Sequence, residues 1–264
     1  MRPNRLRQLL NEGKPSIGTH TMVFWPGMVE IIGHTGIIDY VEFVAEYVPY
    51  DLEGLENMGR AVELFDHLTA MIKLDQEPRT FAATRAIGSG IQNVLFADVH
   101  NAEEARECVG AVRAETPQTG GHHGSGDRRF AGYILESGSP QYVQALEDCV
   151  VALMIEKKEA VDNLEEILSV PGIDMVVWGG GDYSMSIGKP GQARDPDVLA
   201  TRDYVHKTAL EMGIQPRAEI SHPEEAKPFL DQGIRHFALG TDLAILLNWW
   251  KENVEKLSEI IDKS

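Results

Sequence analysis

Apolar residues follow two rhythms along this chain, and the rhythms take turns. In residues 16–23, 39–46, 69–74, 91–99, 150–156, 175–182, 214–220 and 235–240 they alternate with polar ones or form short unbroken blocks bounded by turn residues. That pattern belongs to strands buried on one or both faces. Between these segments apolar residues recur every three or four positions. In residues 52–68, Leu55, Met58, Val62 and Phe65 share one helical face. The same spacing predicts helices at 26–32, 79–87, 101–113, 140–147, 163–169, 196–212, 223–231 and 244–261, with a short one at 4–12 ahead of the first strand. Pro26 suits a first helical turn, and Asn101 suits an N-cap because its side chain can accept from the next turn's N–H groups.

Eight strands alternating with helices, with no repeat or linker between them, predict an α/β chain folded as a (β/α)8 TIM barrel. The length of 264 residues fits one domain over 1–264, since such barrels take about 250 residues. The rhythm breaks once, at 115–139. The core of that stretch, T-P-Q-T-G-G-H-H-G-S-G-D-R-R, is too long for an ordinary connection and reads as a functional loop or lid.

Composition narrows the function class. The 41 acidic residues outnumber the 24 basic ones, for a net charge of −17. Such a surface repels polyanions, so neither nucleic acid nor an anionic membrane is expected as a partner. No run of about 18 apolar residues offers a membrane span, and the charged N-terminus lacks a signal-type apolar core. Cys108 and Cys149 lie in apolar contexts without metal-like spacing. A cytoplasmic setting is the expectation.

The chemistry concentrates at 150–191. Two predicted strands there end in single acids, Glu156 and Asp182, one βα unit apart. In a parallel barrel such acids sit side by side at one edge, where two carboxylates can hold one hard divalent cation. Each acid alone would equally suit a helix start. Gly179, Gly180 and Gly181 before Asp182 allow close approach of a ligand, so Gly180 and Gly181, with Ser184, are candidate contacts of a substrate carboxylate. His20 on the first strand and His122 and His123 in the long loop titrate in the range useful for proton transfer, although an interior histidine and a solvated loop explain them as well. Arg128, beside Arg129, is a candidate for a second substrate carboxylate, against plain surface charge. Glu219, ending the seventh strand, and Asp242, following the eighth, read as caps of the next helices or as supports of the site.

The motifs G-K-P-S-I-G, E-Y-V-P, V-H-N-A-E-E-A, M-I-E-K-K-E-A and G-G-G-D-Y-S-M-S-I-G run through nearly the whole chain. In them the chain resembles the HpcH/HpaI aldolase family, the class II 2-oxo-acid aldolases related to 2-dehydro-3-deoxyglucarate and 4-hydroxy-2-oxoheptanedioate aldolases. The resemblance implies that Glu156 and Asp182 bind Mg2+, Mn2+ or Co2+. It also implies a homo-oligomer, commonly a hexamer or trimer of dimers, with the long C-terminal helix exchanged between subunits. Two positions depart from the family's pattern. Tyr47 stands where members carry the histidine that activates a metal-bound water, and Lys73 stands at or beside the arginine that grips the 2-oxo acid. Lysine supplies charge without a bidentate fork, and a neutral tyrosine is a poor base near pH 7.

The function expected on these grounds is a divalent-metal-dependent carbon–carbon lyase, aldolase-type, that cleaves a small 2-oxo acid through a stabilised enolate. Tyr47, Lys73, His20 and His122 are its candidate catalytic residues. The two departures leave open a decarboxylase, hydratase or isomerase of an oxo-diacid on the same scaffold, and beyond that a non-catalytic barrel that binds a small acid.

Overall fold

Eight of the apolar segments become parallel strands because each can bury both faces, one toward the barrel axis and one toward a helical layer. The computed structural model describes residues 1–263. Its strands are β1 (Ser16–Thr21), β2 (Tyr40–Val44), β3 (Thr69–Leu74), β4 (Asn93–Phe96), β5 (Val150–Ile155), β6 (Met175–Trp178), β7 (Gln215–Ile220) and β8 (His236–Thr241). Each pairs with its sequence neighbour, and β8 closes on β1 to complete the barrel. The helices are α1 (Arg5–Asn11), α2 (Pro26–His34), α3 (Leu52–Val62), α4 (Arg79–Gly88), α5 (Ala102–Val112), α6 (Pro140–Glu147), α7 (Lys158–Asp162), α8 (Leu164–Leu168), α9 (Gly180–Ser186), α10 (Pro196–Glu211), α11 (Ala226–Asp231) and α12 (Asp242–Asp262). The (β/α)8 expectation holds.

The barrel interior is apolar toward its lower end. Leu6 from α1 plugs that end and packs with Tyr40, Met71, Leu95, Val150, Ala152, Met154, Met175 and Val177. Arg7 fixes α1 with a two-pronged ion pair to Asp174, at 2.7 and 2.6 Å. Gly18 must lack a side chain, because a Cβ there would lie 2.2 Å from the ring of Tyr40, its register partner on β2. The outward-facing strand residues form the larger core with the helices. Cys108 and Cys149 are buried, free thiols.

The structure corrects three local expectations. The sixth strand stops at Trp178, four residues early, and Asp182 lies in the first turn of α9 rather than at a strand end. The helix expected at 163–169 is α8, but an unforeseen short helix, α7, precedes it and meets it at Asn163. The stretch 115–139 is no free lid. His123, Phe130 and Ala131 are buried, and Phe130 meets Tyr142 of α6 edge-on. Arg129 pairs with Glu63 and donates to the carbonyl of Ser89, strapping the segment over the outside of α3 and α4.

Burial pushes three histidines, His123, His206 and His236, down to about 4. The unfolded chain binds protons at these sites below about pH 6.5 while the folded chain does not. Their contribution is therefore complete above pH 6.5 and is lost as the pH falls toward 4, at up to about 3 kcal/mol for each histidine. The melting temperature is expected to fall across that window, and less steeply in His206→Leu. An equal fall in the variant would contradict the assignment for His206.

Among the described residues no helix is long and apolar enough to cross a membrane.

Candidate active site

In a barrel of this kind the residues at the carboxyl ends of the strands share one mouth. Here His20, Glu42, Tyr47, Lys73, Glu156, Gly180, Gly181, Asp182 and Glu219 line one cavity of about 280 Å³. Of the expected catalytic and ligand residues, His20, Tyr47, Lys73, Glu156 and Asp182 are thus brought together, with Gly180 and Gly181 beside them.

Glu156 follows β5 directly and is 2% exposed. Its Oε1 accepts the backbone N–H of Asp98 at 2.8 Å. Asp98 itself sits in the left-handed region, φ 53°, an uncommon place for a side-chain-bearing residue. Burial pushes the Glu156 carboxyl up to about 7, against the Asp98 N–H and the charge of Lys73, with Asp98 and Asp182 adding to the rise. Gly179 leaves room for this side chain, since a Cβ there would lie 2.5 Å from Glu156 Oε2. Lys157 reaches Asp98 Oδ1 at 2.6 Å and Asp182 Oδ1 at 3.1 Å. Two carboxylates, Glu156 and Asp182, therefore line the mouth beyond β5 and β6, and Asp98 is tied to Asp182 through Lys157. Hard oxygen donors grouped in this way fit a hard divalent cation.

Opposite them, Lys73 is ion-paired with Glu46 and donates to the Tyr47 hydroxyl at 2.9 Å. Burial alone would lower the Lys73 ammonium, but its bonds to Glu46 and Tyr47 and the charge of Glu156 raise it, so it stays charged. Burial holds the Tyr47 phenol above its usual range despite Lys73, so it stays neutral. His20 donates its Nδ1–H to the carbonyl of Gly240, 3.1 Å away. Its Nε2 faces Glu42 at 3.6 Å and Glu219 at 3.5 Å. Burial works against the charged imidazole, yet Glu42 and Glu219 raise it overall.

Beneath His20 lies a feature that the sequence reading missed. Arg217 of β7 is wholly buried, paired with Glu42 and, at 2.9 Å, with Glu219. Charged residues two apart in a strand face the same way, so R-A-E in β7 already carried the signal that Arg217 and Glu219 meet inside the barrel. Glu42, a lone acid in V-E-F-V, is its complement across the barrel. His20, Glu42 and Glu219 together have the donor atoms of a metal site. The guanidinium of Arg217 already pairs with both acids, and His20 faces them as a second cation when protonated, so the cluster reads as an ion-pair network instead. Asp242 takes the supporting place foreseen for it, accepting from Met22 N and Val23 N at 2.9 and 3.0 Å and so fixing the turn after β1.

Three expected contacts lie elsewhere. His122 is exposed on the outer layer, its N–H bonded to Gly110 of α5 at 2.7 Å, because the loop that carries it packs against the helices. Arg128 belongs to the same strap. It packs against Gly88 of α4, bonds His123 at 3.2 Å and lines a separate groove with Arg85 and Tyr133. Ser184 is fully buried and turns its hydroxyl back to Gly181 O at 2.7 Å, completing its own helical turn.

A family model described as HpcH/HpaI aldolase/citrate lyase matches residues 64–248. The chain is 28% identical over 240 residues to the 2-dehydro-3,6-dideoxy-6-sulfogluconate aldolase of Pseudomonas putida, covering 91% of each chain. It is 28% identical over 254 residues to the 4-hydroxy-2-oxo-heptane-1,7-dioate aldolase of Escherichia coli, covering 92% of this chain and 90% of the relative. Its fold matches the crystal structure of an HpcH/HpaI aldolase/citrate lyase family protein from Burkholderia cenocepacia with a TM-score of 0.87, at 22% identity over 97% and 99% of the two chains. A more distant likeness, TM-score 0.56 and 12% identity over 88% and 93%, is to the citrate lyase beta subunit of M. tuberculosis, solved with oxaloacetate and magnesium. The chain, with its closed barrel and its acids gathered at the strand ends, belongs to the HpcH/HpaI aldolase/citrate lyase family.

Proposed function

We propose that this protein is an aldolase-type lyase that cleaves a carbon–carbon bond of a small 2-oxo acid in the 280 Å³ cavity. The observation that carries the reading is the meeting of Glu156 and Asp182 with Lys73, Tyr47 and His20 in that one space. Glu156 and Asp182 would hold a divalent cation such as Mg2+, Mn2+ or Co2+. A buried carboxylate raised to about 7 and bordered by two more acids is a group that a cation stabilises in its charged form. When bound, the ion would act as a Lewis acid on the 2-oxo acid. The magnesium in the citrate lyase beta subunit supports that choice of group.

The chain's own residues supply the rest. Lys73 offsets the negative charge that develops on the substrate when the bond breaks. Gly181, where an added Cβ would meet nothing within 4 Å, leaves open space beside Asp182 for the carboxylate. Tyr47 and His20 handle the proton of the departing aldehyde oxygen, His20 poised by Glu42 and Glu219. The test is pyruvate release from a panel of 4-hydroxy-2-oxo acids with added Mn2+. No release from any of them, with the metal shown to be bound, would overturn the aldol reading.

One observation favours a second reaction on the same scaffold. Aldol cleavage needs a base for the hydroxyl proton, whereas loss of CO2 from an oxo-diacid needs only charge stabilisation and then a proton donor. Neutral Tyr47, charged Lys73 and a histidine held toward its charged form suit the latter. CO2 released from oxaloacetate, with no aldehyde formed, would mark this second reading.

The proposed assembly is a homo-oligomer, a hexamer or trimer of dimers, built through α12. Every residue of α12 after Asp242, up to Lys263, is exposed or only partly covered. Leu247, Trp249, Trp250, Val254 and Leu257 are each more than half exposed. An apolar array of that size on one helix is an interaction surface. Light scattering is expected to give a multiple of 29.3 kDa, and Trp249→Ser with Trp250→Ser is expected to reduce it to the single-chain mass. An unchanged mass in the double variant would exclude α12 as the joint.

A further inference from the structure

Lys157 is the residue after Glu156 and stands at the N-cap of α7. An N-cap lysine serves no capping purpose, since it can accept nothing from the helix, and its side chain makes no cap bond here. Instead it spans the gap between the loop after β4 and the first turn of α9, with its ammonium 2.6 Å from Asp98 Oδ1 and 3.1 Å from Asp182 Oδ1. The side chain is only 24% exposed, and its two partners are 22% and 37% exposed. This is a partly enclosed bridge rather than a surface pair. Asp98 in turn presents its N–H to Glu156. One ammonium is thus shared between two acids that border Glu156.

We propose that Lys157 is a built-in counter-cation for the acid cluster, which holds Asp98 and Asp182 together and competes with a divalent ion for them. This rests on the reading of Glu156 and Asp182 as metal ligands. Two cations crowded onto the same carboxylates repel each other strongly where water is scarce. A divalent ion at Glu156 and Asp182 must therefore either displace the ammonium from Asp182 or bind against its charge. Either way the wild-type affinity is held down. Without Lys157, the charges of Asp98 and Asp182, which both raise the Glu156 carboxyl, are left uncompensated beside it.

The test is a Mn2+ titration followed by electron paramagnetic resonance, which counts free ion and needs no turnover. Lys157→Met keeps the length of the side chain and removes the charge, and it is expected to bind Mn2+ about tenfold or more tightly than wild type. Lys157→Gln, as a second variant, is expected to change in the same direction. Mn2+ is also expected to raise the melting temperature of Lys157→Met more than that of wild type, because tighter binding to the folded state alone stabilises it further. Asp98→Asn added to Lys157→Met is expected to return part of the gain. Unchanged or weaker binding in both lysine variants, with Glu156→Gln abolishing it, would overturn the role of Lys157 and leave the metal reading standing. Glu156→Gln binding as well as wild type would instead remove the metal site, and this proposal with it.

Discussion

Glu156→Gln is expected to abolish Mn2+ binding and to lower kcat/KM for pyruvate release by about 10³-fold, a loss of ~4 kcal/mol of transition-state stabilisation. The size follows from position. Glu156 is 2% exposed, so water cannot take over its role as the negative pole of the site. The amide keeps the volume of the side chain and can still accept the Asp98 N–H, so the fold is expected to survive. Stability is expected to hold or rise slightly, because a charge that burial already disfavours has been removed. Steady-state kinetics, the Mn2+ titration and a melting curve on the same preparation separate these effects. Activity above about a tenth of wild type would take Glu156 out of the reaction. A collapsed melting curve would show that the glutamate serves the fold first.

The largest effect on stability is expected at Arg217. Its guanidinium has 0% exposure and its partner Glu42 has 1%. Arg217→Met fills similar space without charge and leaves the Glu42 carboxylate buried with no cation but His20 beside it. Breaking one side of such a pair costs about 3–5 kcal/mol, roughly 10 °C in melting temperature for a chain of this size. Adding Glu42→Leu should recover most of the loss, because an apolar pair in the same space removes the stranded charge. Failure of the double variant to recover would mean that Arg217 acts through packing. The single variant also frees Glu219, which Arg217 holds at 2.9 Å beneath His20, so its activity is expected to fall further than its stability alone explains.

These two residues mark the boundary between what local sequence dictates and what needs the fold. Glu156 was legible because its setting is local. An unbroken apolar block ends in one acid, and a strand buried on both faces must emerge at the mouth where that acid stands. The same reasoning reached Asp182 with the wrong geometry. The G-G-G run after Trp178 offered no side chain to hold an extended strand. The closeness of Glu156 to Gly179 leaves no room for one, and the chain turns into α9 two residues before the aspartate. His20 was placed on the correct strand by alternation. Its partners Glu42 and Glu219 lie far along the chain, and no local rule joins them.

The loop 115–139 shows the opposite failure. Its glycines, histidines and charges have the composition of a solvated loop, and composition carries no record of what the loop packs against. Only in the fold do Phe130, Ala131 and His123 find the helical layer, which carries His122 and Arg128 away from the barrel mouth.

What the sequence by itself determined is the alternation of strands and helices, hence the barrel, and the emergence of Glu156 at the end of the fifth strand. These follow from the period of burial and from chain direction, both local properties. The tertiary structure alone decided which charges neutralise one another. Arg217 meets Glu42 across 175 positions, and Lys157 meets Asp98 from the loop after β4 and Asp182 from the first turn of α9. Ion pairing depends on distance in space and on how little water remains between the partners, and only closure of the barrel sets both.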